Sequence, residues 1–498
     1  MGIKVAFIGA GGVGFTRTLL TDILSVPELR DIQVSFTDIS QKNLDMVTAL
    51  CQRDIDSNGL DIRIHATTDR REALQGANYV INAVRVGGLD AFRLDIDIPL
   101  RYGVDQCVGD TLCAGGIMYG QRGVPVMLDF CRDIREVAAP GCRLLNYSNP
   151  NAMMTWAANK YGGVETIGLC HGVYHGHRQI AAALGLPHNE VDIVCAGINH
   201  QTWYIRIQHK GRDLTGDLLA AFERDPDLAR TEKVRIDMLR RFGYYSTESN
   251  GHLSEYVPWY RKRLDGIGEW ISLDRWINGE TGGYLRVCTE TRNWFETDFP
   301  NWMKEPPKKY DGTDRSTEHG SWIIEGLETG RVYRGHFNVM NRGCITNLPD
   351  ECVVEVPGYV DGNGVSIPRV GDLPLGCAAV CSSSVWVQRL AVEAAVAGDD
   401  ALLRQALMMD PLTGAVCTTP EIAQMADELL TAQAQWLPQY GTAIATAADR
   451  LERGRREGTL LPTREGFEGS NRLHVKTVEE MAADAARTRT LSGKTDKG

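Results

Sequence analysis

The stretch Ile167–Arg178, IGLCHGVYHGHR, sets a thiol beside an imidazole at the end of an apolar run, with His175 and His177 close behind. Thiolate and imidazole are both good ligands for a divalent transition metal. Neighbouring residues on a strand face opposite ways, so Cys170 and His171 cannot both reach one ion from VETIGLC. A second apolar run, VDIVCAGINH, ends on His200, and pairing Cys170 with His200 gives two ligands at two strand termini that face one crevice. Against this, a free cysteine is usually a small buried hydrophobe, and His200 has an ordinary reading as a loop residue. His175 and His177 read as polar residues at the start of the following helix. Two further places offer proton-moving groups. Asp110 sits in the glycine-rich GVDQCVGDTLCAGGI, where an Asp most often bonds its own turn, and GYYSTESNGHLSEY carries Tyr244, Tyr245 and Glu248. A carboxylate beside a cation is a workable base for an acidified C–H, whereas tyrosine must first lose a proton of pKa near ~10. The ordinary reading of Glu248 is a cap on the helix through GHLSEY.

The elements that must hold these groups begin upstream. KVAFIGAGGVGF is a β-branched and aromatic run ending in Gly9, Gly11 and Gly14, spaced G-x-G-x-x-G, and TRTLLTDILSV then takes up helical periodicity. The first glycine permits a tight turn, the second lets backbone approach a pyrophosphate, and the third permits close strand–helix packing; the helix N-terminus offers its N–H groups. A second strand, DIQVSFTDIS, ends at Asp38, where a ribose-binding carboxylate belongs; the alternative is a turn residue capping QKNLDMVTALCQRDI. A carboxylate there favours NAD over NADP. The strand ANYVINAV, the helix PVMLDFCRDIREVA and the strand CRLLNYSNP continue the alternation. They predict an α/β fold, a Rossmann-like parallel sheet wound on both faces, with ligands beyond the carboxyl ends of its strands. Asn82, Arg85, Asn149 and Pro150 fall at those ends. NYSNP resembles the Asn-Pro strand end of lactate and malate dehydrogenases. These residues therefore allow a 2-hydroxy-acid dehydrogenase and, from another class, a non-catalytic NAD-binding sensor.

Composition narrows the field. The chain has 498 residues, 43% hydrophobic and 23% charged, with a formal net charge of −11 and no dense basic stripe, which disfavours nucleic acid and anionic membranes as partners. Thirteen cysteines lie scattered without C-x-x-C pairs, as expected of reduced thiols in a cytoplasmic protein. The N-terminal apolar run is too short for a secretory signal, and no run of eighteen apolar residues predicts a membrane span.

The segments FIGAGGVGFTRTL, GDTLCAGGI, LLNYSNPNAM, GLCHGVYH and CAGINHQTWY, followed by GYYSTESNGHLSEYVPW, NLPDECVVEVPGYVDGNGV and ALMMDPLTGAV, run in one order over roughly residues 3–440. In these the chain resembles glycoside hydrolase family 4, the NAD- and metal-dependent glycosidases, and most of all its bacterial α-galactosidase (melibiase) branch. This family is the NAD-dependent exception to two-carboxylate glycoside hydrolysis. The resemblance implies oxidation of the sugar C3 hydroxyl by NAD⁺, removal of the C2 proton, elimination of the aglycone, addition of water and return of the hydride. It implies Cys170 and His200 as metal ligands, Asp110 as the acid at the leaving group, Glu248 as the C2 base with Tyr245 second, and Asn149 and His171 as sugar contacts. Gly9, Gly11, Gly14, Asp38 and Asn82 would bind NAD. Softness alone would suit zinc to a thiolate and an imidazole; the family uses Mn²⁺.

The residue after the Cys–His pair varies with substrate class in that family, typically Ser in α-galactosidases and Gly in α-glucuronidases; here it is Gly172. A uronate would call for an arginine fork, for which Arg85, Arg286 and Arg292 are candidates. His171 stands where the phospho-sugar branch has Asn, which disfavours a 6-phosphate. The expected substrate is an α-galactoside, with an α-glucuronide, α-galacturonide or α-glucoside as alternatives. Expected domains are residues 1–200 for NAD, a mixed α+β catalytic domain over 201–445 whose GRVYRGHFNVMNRGCITNLPDECVVEVPGYVDGNGV is antiparallel, and a polar extension over 446–498 that orders only against a partner subunit. The assembly expected is a homo-dimer or homo-tetramer.

Overall fold

The apolar runs read above become short strands buried on both faces. In this computed structural model, which describes residues 2–273, 275–464 and 474–483, β1 (Lys4–Ile8), β2 (Gln33–Thr37), β3 (His65–Thr67), β4 (Tyr79–Asn82), β5 (Arg143–Asn146) and β6 (Thr166–Gly168) pair in parallel in the order 3-2-1-4-5-6. That is the doubly wound dinucleotide-binding order. Alternation along β1 explains the two cores: Val5 and Phe7 join the helices Val13–Leu24 and Gln41–Ser57, while Ala6 and Ile8 join the helix Cys113–Val137.

The second half adds β7 (Val191–Ile198), β8 (Gln201–His209), β9 (Arg212–Asp213), β10 (Tyr245–Ser246), β11 (Tyr333–Met340), β12 (Val353–Asp361) and β13 (Gly364–Ser366), all antiparallel to their neighbours. The expected antiparallel region is thus β11 to β13. The two halves form one continuous sheet, in which β6 pairs with β11 and β12 with β7. The seam is narrow: Gly168 pairs with Asn338, Asn338 with Glu355, and Glu355 with Gly197. This row sets the end of β6, which leads to Cys170, in line with the end of β7, which leads to His200. A domain boundary at residue 200 falls in the tip of the β7–β8 hairpin, where Ile198 pairs with Gln201. Hairpin strands share their hydrogen bonds, so both belong with the second half.

The helix Leu375–Ala397 packs beside Cys113–Val137 and buries Cys377, Cys381, Val385, Val387 and Ala391. It is the one described helix long and apolar enough to cross a membrane, and half of that apolar stretch is buried within the protein. Described residues of the expected C-terminal extension contact their own chain. The helix Gly441–Glu457 ties Arg450 to Asp427, Arg464 donates to the Val416 carbonyl at 2.7 Å, and the Lys476 carbonyl accepts from Asn293 at 3.3 Å. Residues 465–473 and 484–498 of that extension lie outside the described residues.

Candidate active site

The glycine-rich turn follows β1. Gly9 has φ +83°, and a Cβ there would stand 2.7 Å from the Ala83 carbonyl oxygen, so both conformation and the close approach of β4 demand glycine. Gly11 donates its N–H to Asp38 Oδ2 at 2.9 Å, and Asp38 Oδ1 accepts from Ser40 N at 2.8 Å. The cap of the next helix is Ser40, which accepts from Asn43 N, not Asp38. The helix Val13–Leu24 begins with no side-chain cap, leaving its first N–H groups to an outside acceptor. Gly14 departs from expectation: a Cβ there would meet nothing within 4 Å, so it borders open crevice and no strand–helix contact requires it. Asn82 is fully buried and donates to Asn146 Oδ1 at 2.9 Å, with its own Oδ1 unpartnered. It ties the ends of β4 and β5 and leaves one acceptor over. Substituting Gly11 by Ala would drive a methyl to 2.8 Å from the Asp38 carboxylate. The expected result is NAD⁺ affinity weakened about tenfold, close to ~1.4 kcal/mol, in a fluorescence titration, with Mn²⁺ affinity unchanged.

Across the crevice, Cys170, His200 and Glu248 bring one ligand atom each to within 4.8 Å of one another. His200 occupies the left-handed region, φ +62°, in the two-residue turn between β7 and β8, which turns its ring back toward Cys170. Its Nδ1 lies 3.2 Å from both Thr111 Oγ1 and Tyr256 Oη, so Nε2 is the nitrogen left to face the set. Glu248 Oε2 stands 3.0 Å from His200 Nε2 and 3.6 Å from His252 Nε2. Burial acts to raise the Glu248 carboxyl, but the His200 and His252 imidazoles outweigh it and hold it well below the usual range. Burial acts against charge on His200 too, and Glu248 and Cys170 reverse this, pushing the imidazole well above its ordinary value. The Cys170 thiol is pushed up to about 12 by burial and by Glu248. A thiol, an imidazole and a carboxylate that converge in this way are a donor set that a divalent cation suits.

The remaining residues sort clearly. Asp110 is buried and accepts from Asn149 Nδ2 at 3.0 Å and from Thr111 Oγ1 at 3.1 Å, which places it one hydroxyl away from His200. His171 is half-exposed between two carboxylates, 3.9 Å from Glu248 Oε1 and 3.6 Å from Glu318 Oε1. Tyr245 is corrected as a base: fully buried, it donates to Gln179 Oε1 at 2.6 Å and stacks on Arg235. Tyr244 packs on the main apolar core. The helix Asn250–Tyr256 is capped by Ser249, not by Glu248. His175 lies 4.8 Å ring to ring from His171. His177 is not simply a surface polar residue: its Nε2 lies 2.7 Å from the Val191 carbonyl oxygen and its ring faces His188. It lines a cavity of about 360 Å³ with Tyr174, His319, Trp322, Tyr333 and His336, which includes none of the sequence-predicted catalytic, metal or sugar-contacting residues. Among the three arginines, Arg286 is held by Glu280 and Glu290, Arg292 is exposed, and Arg85 lies between the Phe92 and Tyr284 rings with Nη1 unpartnered.

Thr111, His252, Glu255, Tyr256, Glu318 and Glu355 complete the surroundings and were not among the sequence candidates. Three of them lie in GHLSEY, whose helical spacing gave the one available signal. Burial pushes Glu255 and Glu355 each up to about 7, against Arg261 and His200 respectively.

Fold and site together define a protein of the dinucleotide-binding class that carries, beyond the end of β6 in the same parallel sheet as its glycine-rich turn, a thiol–imidazole–carboxylate set able to hold a metal ion. The profile of the family 4 glycosyl hydrolases matches residues 4–186, and that of the family 4 glycosyl hydrolase C-terminal domain matches residues 195–413. The chain belongs to glycosyl hydrolase family 4. It is 57% identical over 482 residues to an alpha-galactosidase of Rhizobium meliloti, covering 97% of each chain. With an alpha-galactosidase of Bacillus subtilis it shares 35% identity over 444 residues, 88% of this chain and 99% of that one. Its fold is shared, at TM-score 0.71 and 22% identity over 87% of this chain and 99% of the other, with a 6-phospho-beta glucosidase of Thermotoga maritima solved with manganese, NAD⁺ and glucose-6-phosphate.

Proposed function

We propose that the protein is an NAD- and divalent-metal-dependent α-galactosidase of the cytoplasm that cleaves its substrate by elimination. The observation that carries this reading is the convergence of Cys170, His200 and Glu248 in a chain whose glycine-rich turn is built on Gly9, Gly11 and Asp38. When bound, NAD⁺ would supply hydride exchange with the sugar and a divalent ion such as Mn²⁺ would supply Lewis acidity. Cys170 Sγ and His200 Nε2 would hold the ion, with Thr111 and Tyr256 against Nδ1 leaving Nε2 free for it. Glu248, beside these ligands, is the carboxylate that takes the C2 proton. Asp110, steadied by Asn149, gives a proton to the departing glycosidic oxygen. His171 contacts a sugar hydroxyl and is oriented by Glu318.

Gly172 is explained by packing. A Cβ there would stand 2.7 Å from Glu248 Cγ, so the glycine lets the base reach the ligand set whatever the sugar. This removes the main argument for a uronate, and the identities to alpha-galactosidases favour galactose. A uronate reading keeps one support, the unpartnered Nη1 of Arg85. With NAD⁺, Mn²⁺ and reductant, nitrophenyl α-galactoside is expected to exceed the α-glucuronide and α-galacturonide at least about tenfold in kcat/KM, a difference of ~1.4 kcal/mol in transition-state binding. An equal or faster uronide rate would reassign the substrate to Arg85.

A further inference from the structure

The loop that carries Asp110, residues 105–112, has no regular secondary structure, yet every residue in it is buried. Backbone N–H groups in such a loop must find acceptors inside the protein. Three consecutive ones go to a single carboxylate. Glu255 Oε2 accepts from Cys107 N at 2.7 Å and from Val108 N at 3.0 Å, and Oε1 accepts from Gly109 N at 3.1 Å. The Glu255 carbonyl accepts from Cys113 Sγ at 2.9 Å on the far side of Asp110. Arg261 holds the start of the loop, donating to Asp105 Oδ1 and to the Asp105 carbonyl at 2.7 Å each. Glu255 is fully buried and stands in a helix that begins just after Glu248 and ends on Tyr256, whose hydroxyl meets His200. One short helix therefore links the carboxylate of the metal-binding set, the loop of the acid and the orientation of a metal ligand.

We propose that Glu255 is a positioning residue that holds the 107–109 backbone so that Asp110 stands at the glycosidic oxygen. The proposal rests on the reading of Asp110 as the acid. A carboxylate that accepts three N–H groups sets the loop by charge-assisted hydrogen bonds; an amide in its place turns one end into a donor facing donors, and the loop must move. Asp110 is next in sequence to the last of the three bonded residues, so any such movement is passed to it directly.

Acid assistance matters in proportion to how poorly the leaving group departs unaided, and this separates positioning from general damage. The test compares full-length protein with Glu255→Gln and Glu255→Asp, loaded with NAD⁺ and Mn²⁺, on methyl α-galactoside and p-nitrophenyl α-galactoside. For Glu255→Gln, kcat on the methyl glycoside is expected to fall about 100-fold and on the nitrophenyl glycoside less than about fivefold, with KM little changed. Glu255→Asp, which keeps the charge, is expected to fall between. In D₂O, recovered methyl galactoside should gain deuterium at C2 in the variants, because proton removal continues while expulsion is slowed. Equal losses on both glycosides, or no loss on either, would overturn the proposal. Should Glu255→Gln melt below assay temperature, Glu255→Asp carries the same comparison with the same criteria. Failure of the elimination reading is separate: it would appear in the unaltered protein as released galactose without C2 deuterium.

Discussion

Glu248→Gln is expected to lower kcat about 10³-fold and to abolish incorporation of solvent deuterium at C2 of the released sugar, the loss typical of removing a well-placed general base. The amide keeps the shape of the side chain, so the packing against Gly172 and the folded state should persist. It removes the acceptor that His200 and His252 hold ionised from 3.0 and 3.6 Å. NAD⁺ affinity should be unchanged, because the glycine-rich turn and Asp38 follow β1 and β2, whereas Glu248 follows β10. The matched control is Tyr245→Phe, which deletes a hydroxyl engaged by Gln179 at 2.6 Å and should cost less than about threefold in activity, with exchange intact. Deuterium at C2 that survives in Glu248→Gln would remove the carboxylate from the proton-transfer role. Exchange that vanishes in Tyr245→Phe would return that role to the phenol.

Cys170→Ser should weaken Mn²⁺ binding about 100-fold or more, read by electron paramagnetic resonance of free Mn²⁺, while NAD⁺ still titrates normally. Burial and Glu248 push the Cys170 thiol up to about 12, so the thiolate forms only when the cation binds and releases its proton. Affinity for the ion must then rise with pH, because the competing proton becomes scarcer. The serine variant should flatten that slope as well as lower the affinity. Full activity after chelation and dialysis would contradict a metal-dependent reaction, and an unchanged Mn²⁺ affinity in Cys170→Ser would remove Cys170 as a ligand.

Much of this protein was legible in its residues because the signals were local. Gly9 needs φ +83° and a backbone contact of 2.7 Å, which only glycine tolerates, so the motif survives as a pattern of letters. The central parallel strands are buried and therefore read as apolar runs, strand alternation set Cys170 apart from His171, and the family resemblance joined Cys170 to His200. Gly14 shows the limit of a motif: its spacing was right, but the packing assigned to it is absent. Tyr245 and Glu248 show another, since adjacent candidates in one loop are separated only by the face each presents. The choice fell to β10, which buries Tyr245 against Arg235 and leaves Glu248 beyond the strand's end.

By itself, then, the sequence determined the parallel α/β character of the first half, its glycine-rich turn and the family, and it offered Cys170 and His200 as a candidate metal pair, because each depends on residue type at short spacing. What only the tertiary structure decided were the relations between segments far apart in the chain. Cys170 and His200 meet because Asn338 and Glu355 bring β6 and β7 into one row, and Glu248 joins them from the end of β10, which pairs with β8. Gly172 is small because a carboxylate 76 residues later lies against it. Glu255 meets the loop of Asp110 across 146–148 residues. No local periodicity encodes such contacts; they arise when distant elements bury their apolar faces together, and the polar groups enclosed between them must then satisfy one another.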